Sequence, residues 1–120
     1  MVCTGPDIAQ AVGVLSRFMS NSSKKHWSAV KRVLRYLHGT SNLALCYRGM
    51  AIGDELDVIG LVYADWGGDL DSMRSTSTYV FSLFGAIVCW MSKRQSTAAL
   101  SSTEAEYVAL THAGKEAMWL

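Results

Sequence analysis

The chain has 120 residues, half of them apolar, which is enough for one small hydrophobic core. The formal net charge is +1, but the two parts differ. Residues 1–50 hold seven Lys and Arg against one acid, a net +6, and residues 51–120 hold four against nine, a net −5. A basic part suits a polyanion and an acidic part suits a cation, or the two parts attract each other. The longest apolar run, 79–91, is too short to cross a bilayer, which excludes a membrane-spanning helix.

The cysteines indicate a reducing compartment. Cys3, Cys46 and Cys89 are odd in number, widely spaced and form no CxxC pair. Residues 1–7 contain no apolar signal core. The sequence therefore predicts a soluble intracellular chain, cytoplasmic or nuclear, with no membrane partner.

The first element is a helix predicted over residues 7–19, opened by Pro6 and Asp7 and carrying apolar residues at helical spacing. Further along, residues 43–47 are predicted as a short strand and residues 48–53 as a loop.

A second helix is predicted over residues 24–38 and stops at Gly39. Its apolar stripe is Trp27, Val30, Leu34 and Leu37. A different face carries Lys24, Lys31 and Arg35. This basic face is either a nucleic-acid-binding surface that contacts phosphates or an ordinary solvated face.

The acidic part of the chain begins with a predicted three-stranded antiparallel meander. Its strands cover residues 56–64, 76–83 and 86–92, with Gly85 in the tight turn between the last two. Asp69 and Asp71 fall in the first turn. They lack the alternating ligands and closing glutamate of a calcium loop, so the sequence predicts a solvated turn.

A final helix is predicted over residues 103–120. Ser101 and Thr103 are both candidate caps, because each has a glutamate three residues later, Glu104 and Glu106. Small residues would let this helix lie close to the sheet; those predicted to face it are Ala109, Ala113 and Ala117.

Several long motifs occur in a fixed order along the chain: residues 6–18, 33–40, 60–69, 74–77, 79–81, 90–95 and 100–107, the last reading LSSTEAEY. In these motifs the chain resembles the reverse transcriptase–ribonuclease H junction of copia-type (Ty1/copia) retrotransposon Pol polyproteins. The resemblance covers nearly the whole chain.

The resemblance implies an α+β chain with two segments. Residues 1–50 would be the reverse transcriptase tail, with two helices and a short strand. Residues 51–120 would be the N-terminal half of a ribonuclease H-like domain, a meander plus one helix, truncated after that helix. Such a partial fold leaves a sheet edge open, so self-association through that edge is expected.

The resemblance also implies chemistry. Ribonuclease H enzymes hold two Mg²⁺ ions roughly 4 Å apart between converging carboxylates. Glu106 matches the family's helix glutamate, whereas the residues alone favour a capping-box role for it. The place of the first-strand aspartate is held by Tyr63, a neutral phenol that cannot bridge metal ions. Asp65 is a weaker candidate, on the same strand face but displaced by roughly 7 Å.

Three functions stay open. The first is a catalytically dead retrotransposon fragment. The second is a co-opted module that binds nucleic acid or protein. The third is a Mg²⁺-dependent nuclease whose site is completed by assembly. Lys93 and Arg94, before the last helix, are candidate contacts to the backbone of an RNA–DNA hybrid. Tyr63 favours the first function over the third.

Overall fold

The computed structural model describes residues 5–47, 49 and 57–120, which contain three helices and one three-stranded antiparallel sheet. The α+β architecture predicted from the sequence is confirmed. The chain forms two compact units, Met1–Leu45 and Cys46–Leu120. Among the described residues, no helix is long and apolar enough to cross a membrane.

The first unit contains α1, Ala9–Ser16, and α2, Lys24–Gly39. The start of α2 is fixed by Ser23, whose hydroxyl accepts a hydrogen bond from the His26 backbone N–H while the His26 ring accepts one from the Ser23 N–H. This exchange satisfies donors that a helix start otherwise leaves unpaired.

Helix α1 is shorter at both ends than the predicted span of residues 7–19. Its N-cap, Ile8, has no side chain that can accept a hydrogen bond. Asp7, the predicted opening residue, does not cap the helix; its carboxylate accepts a hydrogen bond from the Tyr36 hydroxyl at 2.6 Å. This bond raises the pKa of Tyr36 and ties the beginning of α1 to the last turns of α2.

The predicted strand over residues 43–47 is wrong, since this segment has no regular secondary structure. The Tyr47 hydroxyl donates a hydrogen bond to the Ile87 carbonyl at 2.9 Å, a side-chain contact in place of strand pairing. The predicted loop over residues 48–53 lies outside the described residues apart from Gly49.

The second unit is a meander in which β2, Arg74–Leu83, lies between β1, Val58–Asp69, and β3, Ala86–Arg94. Each strand is longer than predicted. Phe84 and Gly85 join β2 to β3 with φ angles of 51° and 75°. When φ is positive at both positions, the twist of a tight hairpin turn matches the twist of the two strands that it joins.

Helix α3, Ser102–Ala117, crosses one face of this sheet. The residues that meet there are small: Ala105 and Ala109 pack against Ala64 of β1. Farther along the helix, Ala113 packs against Tyr79 and Phe81 of β2. Close packing of this kind depends on alanine, because a larger side chain would separate helix and sheet.

Ala109 and Ala113 were correctly predicted to face the sheet, but Ala117 is exposed. The third buried alanine is Ala105, which has no exposed surface. Every four-residue step turns the stripe by about 40° around the helix, so the row that begins at Ala105 has left the sheet by Ala117.

The face of the sheet opposite α3 is the more exposed one. Leu61 and Tyr63 of β1 lie on it and are 68% and 66% exposed. Because β1 ends the strand order of the described sheet, its outer backbone edge has no strand partner among the described residues. Self-association through this edge stays a prediction.

Candidate functional site

Tyr63 lies in the middle of β1, opposite Thr78 of β2. Its neighbour Ala64 is buried against α3. Since successive side chains of a strand alternate between faces, Tyr63 points to the face away from α3, and Asp65 starts from that same face. The phenol is exposed, and no hydrogen bond of its side chain is found within the described residues.

Asp65 belongs to a β-bulge. The pairing of β1 with β2 shifts register between Asp65 and Asp69. The Asp65 carboxylate accepts a hydrogen bond from the backbone N–H of Thr76, directly across the sheet. It also fills the space over Gly68, where a Cβ atom would overlap the carboxylate. Asp65 therefore closes the bulge as a backbone acceptor would, and its first role in this structure is to hold β1 to β2.

Glu106 lies on the second turn of α3 and is exposed. The hydroxyl of Ser101 accepts a hydrogen bond from the Glu104 N–H at 3.1 Å, and Glu104 accepts one from the Leu100 N–H at 2.7 Å. Ser101 is thus the cap and Glu104 the acid of the capping arrangement. This removes the capping-box interpretation of Glu106.

The position of Glu106 around α3 follows from helix geometry. The stripe from Ala105 to Ala113 faces the sheet, and Glu106 lies about 60° to one side of its centre. His112 lies about as far to the other side, where it lines a cleft together with residues of β3. Glu106 is consequently on the side of the helix nearer β1, the strand that carries Tyr63.

The resemblance implies a two-Mg²⁺ centre, and the residues present do not fit it. Tyr63 offers no carboxylate, and Asp65 is engaged by the Thr76 N–H. Glu106 is the one matched acid that is exposed. Within residues 5–47, 49 and 57–120, no three or more His, Cys, Asp or Glu side chains are grouped so as to hold a metal ion.

The basic residues predicted on α2 share one face. Lys24, Lys31 and Arg35 fall within about 40° of one another around the helix and are all exposed. Lys31 lies over the ring of Trp27, with its Nζ atom 5.9 Å from the ring centre. Trp27 and Leu34, predicted in the apolar stripe, are more than half exposed. The surface of α2 therefore combines exposed cations with an accessible indole.

Lys93 and Arg94 have different surroundings. Arg94 donates a hydrogen bond from Nη1 to the Asp69 carboxylate, in an ion pair whose acid side chain is only 11% exposed. Ser72 donates to the same carboxylate oxygen at 2.6 Å. The turn predicted to be solvated is therefore anchored at Asp69, whereas Asp71 is exposed. Lys93 is exposed, and no ion pair of its side chain is found in the described part of the chain.

Sequence reasoning did not identify Gln95 as an organising residue. Gln95 is 4% exposed, and its Nε2 donates to the Ser77 hydroxyl at 2.9 Å and to the Ala105 carbonyl at 2.8 Å. It thereby fastens the first turn of α3 to the centre of β2. The only signal in the sequence was its place in the 90–95 motif, which gives no indication of burial.

A second polar cluster missed from the sequence lies between α3 and β3. The Cys89 thiol donates to the Glu116 carboxylate at 3.2 Å. Burial, and then the nearby Glu116, raises the pKa of the thiol, so Cys89 stays protonated at neutral pH and is a poor nucleophile. Burial, with Glu116 and Cys89, raises the pKa of Tyr79 to about 12. These groups stabilise the seam of helix and sheet as neutral hydrogen-bonding partners of one carboxylate.

Comparison with known proteins identifies the family. Over its full length the chain is 51% identical to the retrovirus-related Pol polyprotein from transposon TNT 1-94 of Nicotiana tabacum. It is 39% identical, over 98% of its length, to the corresponding polyprotein from transposon RE1 of Arabidopsis thaliana. The chain belongs to the Pol polyprotein family of copia-type retrotransposons.

The chain spans 9% and 8% of these two Pol polyproteins. It is also 52% identical, over its full length, to a protein named secreted RxLR effector protein 161 of Plasmopara viticola, of which it spans 82%. No protein-family model and no solved structure matches the chain. The sequence identity thus defines a transposon-derived segment, and the chemistry of this segment has to be argued from its own residues.

Proposed function

We propose that this chain is a ribonuclease H-like segment of a retrotransposon Pol polyprotein that does not by itself cut the RNA strand of an RNA–DNA hybrid. The observation that carries the proposal is Tyr63 in the middle of β1. A two-metal hydrolase stabilises the attacking and leaving oxygens through paired cations, and these cations need bridging carboxylates. The phenol of Tyr63 offers no carboxylate that could bridge two cations.

The geometry of the remaining acids supports this proposal. Asp65 would have to release the Thr76 N–H to bind a cation, and the bulge would lose its closing contact. Glu106, exposed on the β1 side of α3, would then be a single carboxylate. One carboxylate leaves most of the coordination shell of Mg²⁺ to water, which does not fix a pair of ions at catalytic spacing.

The proposal is tested with a hybrid whose RNA strand is end-labelled. We expect the chain to produce no cleavage in Mg²⁺ or Mn²⁺ above the level of a Glu106→Ala variant prepared in parallel. An active ribonuclease H on the same hybrid controls for the substrate. Cleavage by the native sequence that Glu106→Ala abolishes would contradict the proposal.

A companion substitution examines whether Tyr63 alone limits the activity. We expect Tyr63→Asp to leave the chain inactive, because it raises the number of suitably placed carboxylates only to two. Metal-dependent cleavage by Tyr63→Asp, lost again on adding Glu106→Ala, would show that two carboxylates suffice in this scaffold.

A second candidate function is binding of nucleic acid without catalysis. It is supported by the surface of α2, where the exposed Lys24, Lys31 and Arg35 share one face and Lys31 lies over the exposed Trp27. Cations that follow a phosphate backbone and an aromatic ring that stacks on bases are the usual components of single-strand binding. The relative from Plasmopara viticola, named as an effector and not as a Pol polyprotein, supports a role outside a polyprotein.

For this second function we expect weak, sequence-independent affinity that falls steeply with salt. Neutralising Lys24, Lys31 and Arg35 together to glutamine should reduce the slope of log affinity against log salt by about 2–3, since each lost phosphate contact accounts for roughly 0.7–0.9. Fluorescence anisotropy with a labelled oligonucleotide at several salt concentrations measures this slope.

The matched control is a Lys25→Gln, Arg32→Gln variant, which removes charge from the same helix about 80–100° away. If both variants lower the slope by the same amount per removed charge, the net charge of the chain attracts the nucleic acid, and a defined face of α2 does not. An unchanged slope in the triple variant would place the contact elsewhere, with Lys93 next to be examined.

A further inference from the structure

A cleft of about 280 Å³ lies between the end of β3 and the side of α3, entirely within the second unit. Its volume is near the lower end of the range for small-ligand pockets, roughly 300–1,000 Å³. Its lining is largely polar and consists of Arg74, Met91, Lys93, Arg94, Gln95, Ser96 and His112.

The charges in this cleft are unbalanced. Arg94 is neutralised by Asp69, which holds it at the edge of the cleft. Neither Arg74 nor Lys93 has an ion-pair partner in the part of the chain that the structure describes. No acidic side chain is among the lining residues. Two unpaired permanent cations in a concave site give a positive potential that attracts an anion.

We propose that this cleft binds a phosphate group. The Arg74 guanidinium and the Lys93 ammonium supply the charge, and the Ser96 hydroxyl and the His112 ring supply further donors. Arg94 stays on Asp69 and shapes the wall. The phosphate is either a free inorganic ion or a backbone phosphate of a nucleic acid, since both present the same charged oxygens.

This site differs from both surfaces discussed above. It needs neither a metal centre at Tyr63 nor the basic face of α2, which belongs to the other unit. His112 lies on the β3 side of α3, whereas Glu106 lies on the β1 side. Loss of phosphate binding and appearance of hybrid cleavage are therefore independent outcomes.

The test is a titration of the full ¹⁵N-labelled chain with sodium phosphate at constant ionic strength, followed by amide NMR shifts. We expect saturable shifts concentrated at residues 91–96 and 112. Lys93→Gln should weaken the phosphate affinity about tenfold, the effect of losing one charge-assisted hydrogen bond. The matched control is Lys115→Gln, which removes an exposed cation of α3 that does not line the cleft.

A second arm separates the two sources of phosphate. If a short oligonucleotide shifts the same amides and competes with inorganic phosphate, the site takes backbone phosphates. If only inorganic phosphate binds, the site takes the free ion. Shifts that do not saturate, or equal losses in Lys93→Gln and Lys115→Gln, would overturn the proposal. Both substituted lysines are exposed, so circular dichroism is expected to show an unchanged fold.

Discussion

Replacing Ala113 with leucine is expected to lower the free energy of unfolding by about 1–3 kcal/mol, the usual cost of overpacking a filled core. Ala113 is 2% exposed and packs against Tyr79 and Phe81. Its methyl group fills the space between α3 and β2, so the larger side chain forces either a strained rotamer or a shift of the helix. Urea unfolding of the full chain, followed by circular dichroism, measures the loss.

The adjacent residue gives a matched control. A Cβ atom added at Gly114 would meet nothing within 4 Å, and the position is exposed. Gly114→Leu introduces the same side chain but should stabilise the chain by up to about 1 kcal/mol, because glycine is a poor helix former. Opposite signs at neighbouring positions are the expected result. Similar losses at both would mean that α3 is not seated on the sheet through Ala113.

The elements of the second unit were largely predictable because their signals are local. Runs of β-branched and aromatic residues bounded by turn residues indicated the three strands, and Gly85 indicated the turn between β2 and β3. The start of α3 was narrowed to two capping residues, and only the geometry selects Ser101 over Thr103. Because Ser101 is the cap, Glu104 is the acid of the capping arrangement, and Glu106 is available for another role.

Two wrong predictions, for Asp7 and for residues 43–47, have a common physical cause. Asp7 was predicted from its position to open the first helix, but its carboxylate accepts a hydrogen bond from the Tyr36 hydroxyl, 29 residues away. Residues 43–47 have the composition of a strand, but they do not pair with the described sheet, whose edge strands are β1 and β3. Pairing between distant segments decides such cases, and it leaves little trace in a single sequence.

The candidate site shows the same division. A motif of fixed spacing singles out Tyr63 in the sequence, because it places Tyr63 where the resemblance implies a carboxylate. The engagement of Arg94 by Asp69 could not, since the two residues are 25 positions apart and meet only through the fold. Burial of Gln95 and the cleft between Lys93 and His112 likewise depend on where α3 crosses the sheet.

Asp65 provides the sharpest distinction between a structural and a catalytic carboxylate. Asp65→Ala is expected to lower the free energy of unfolding by about 1–3 kcal/mol, the cost of leaving a buried donor without an acceptor. That donor is the backbone N–H of Thr76, a residue only 8% exposed, and the bulge offers it the Asp65 carboxylate. Asp65→Asn keeps an acceptor oxygen in place and should recover part of the loss.

Asp71→Ala is the control, because it removes an exposed acid from the turn that follows the bulge. We expect it to change stability by less than about 0.5 kcal/mol. The three variants are compared by urea unfolding with and without 10 mM-scale Mg²⁺, about the range in which weak carboxylate sites fill. If Asp65 served mainly as a metal ligand, Mg²⁺ would stabilise the native sequence and not Asp65→Ala, by mass action. A loss that is the same with and without Mg²⁺ is the expected outcome, since the partner of this carboxylate is the Thr76 N–H.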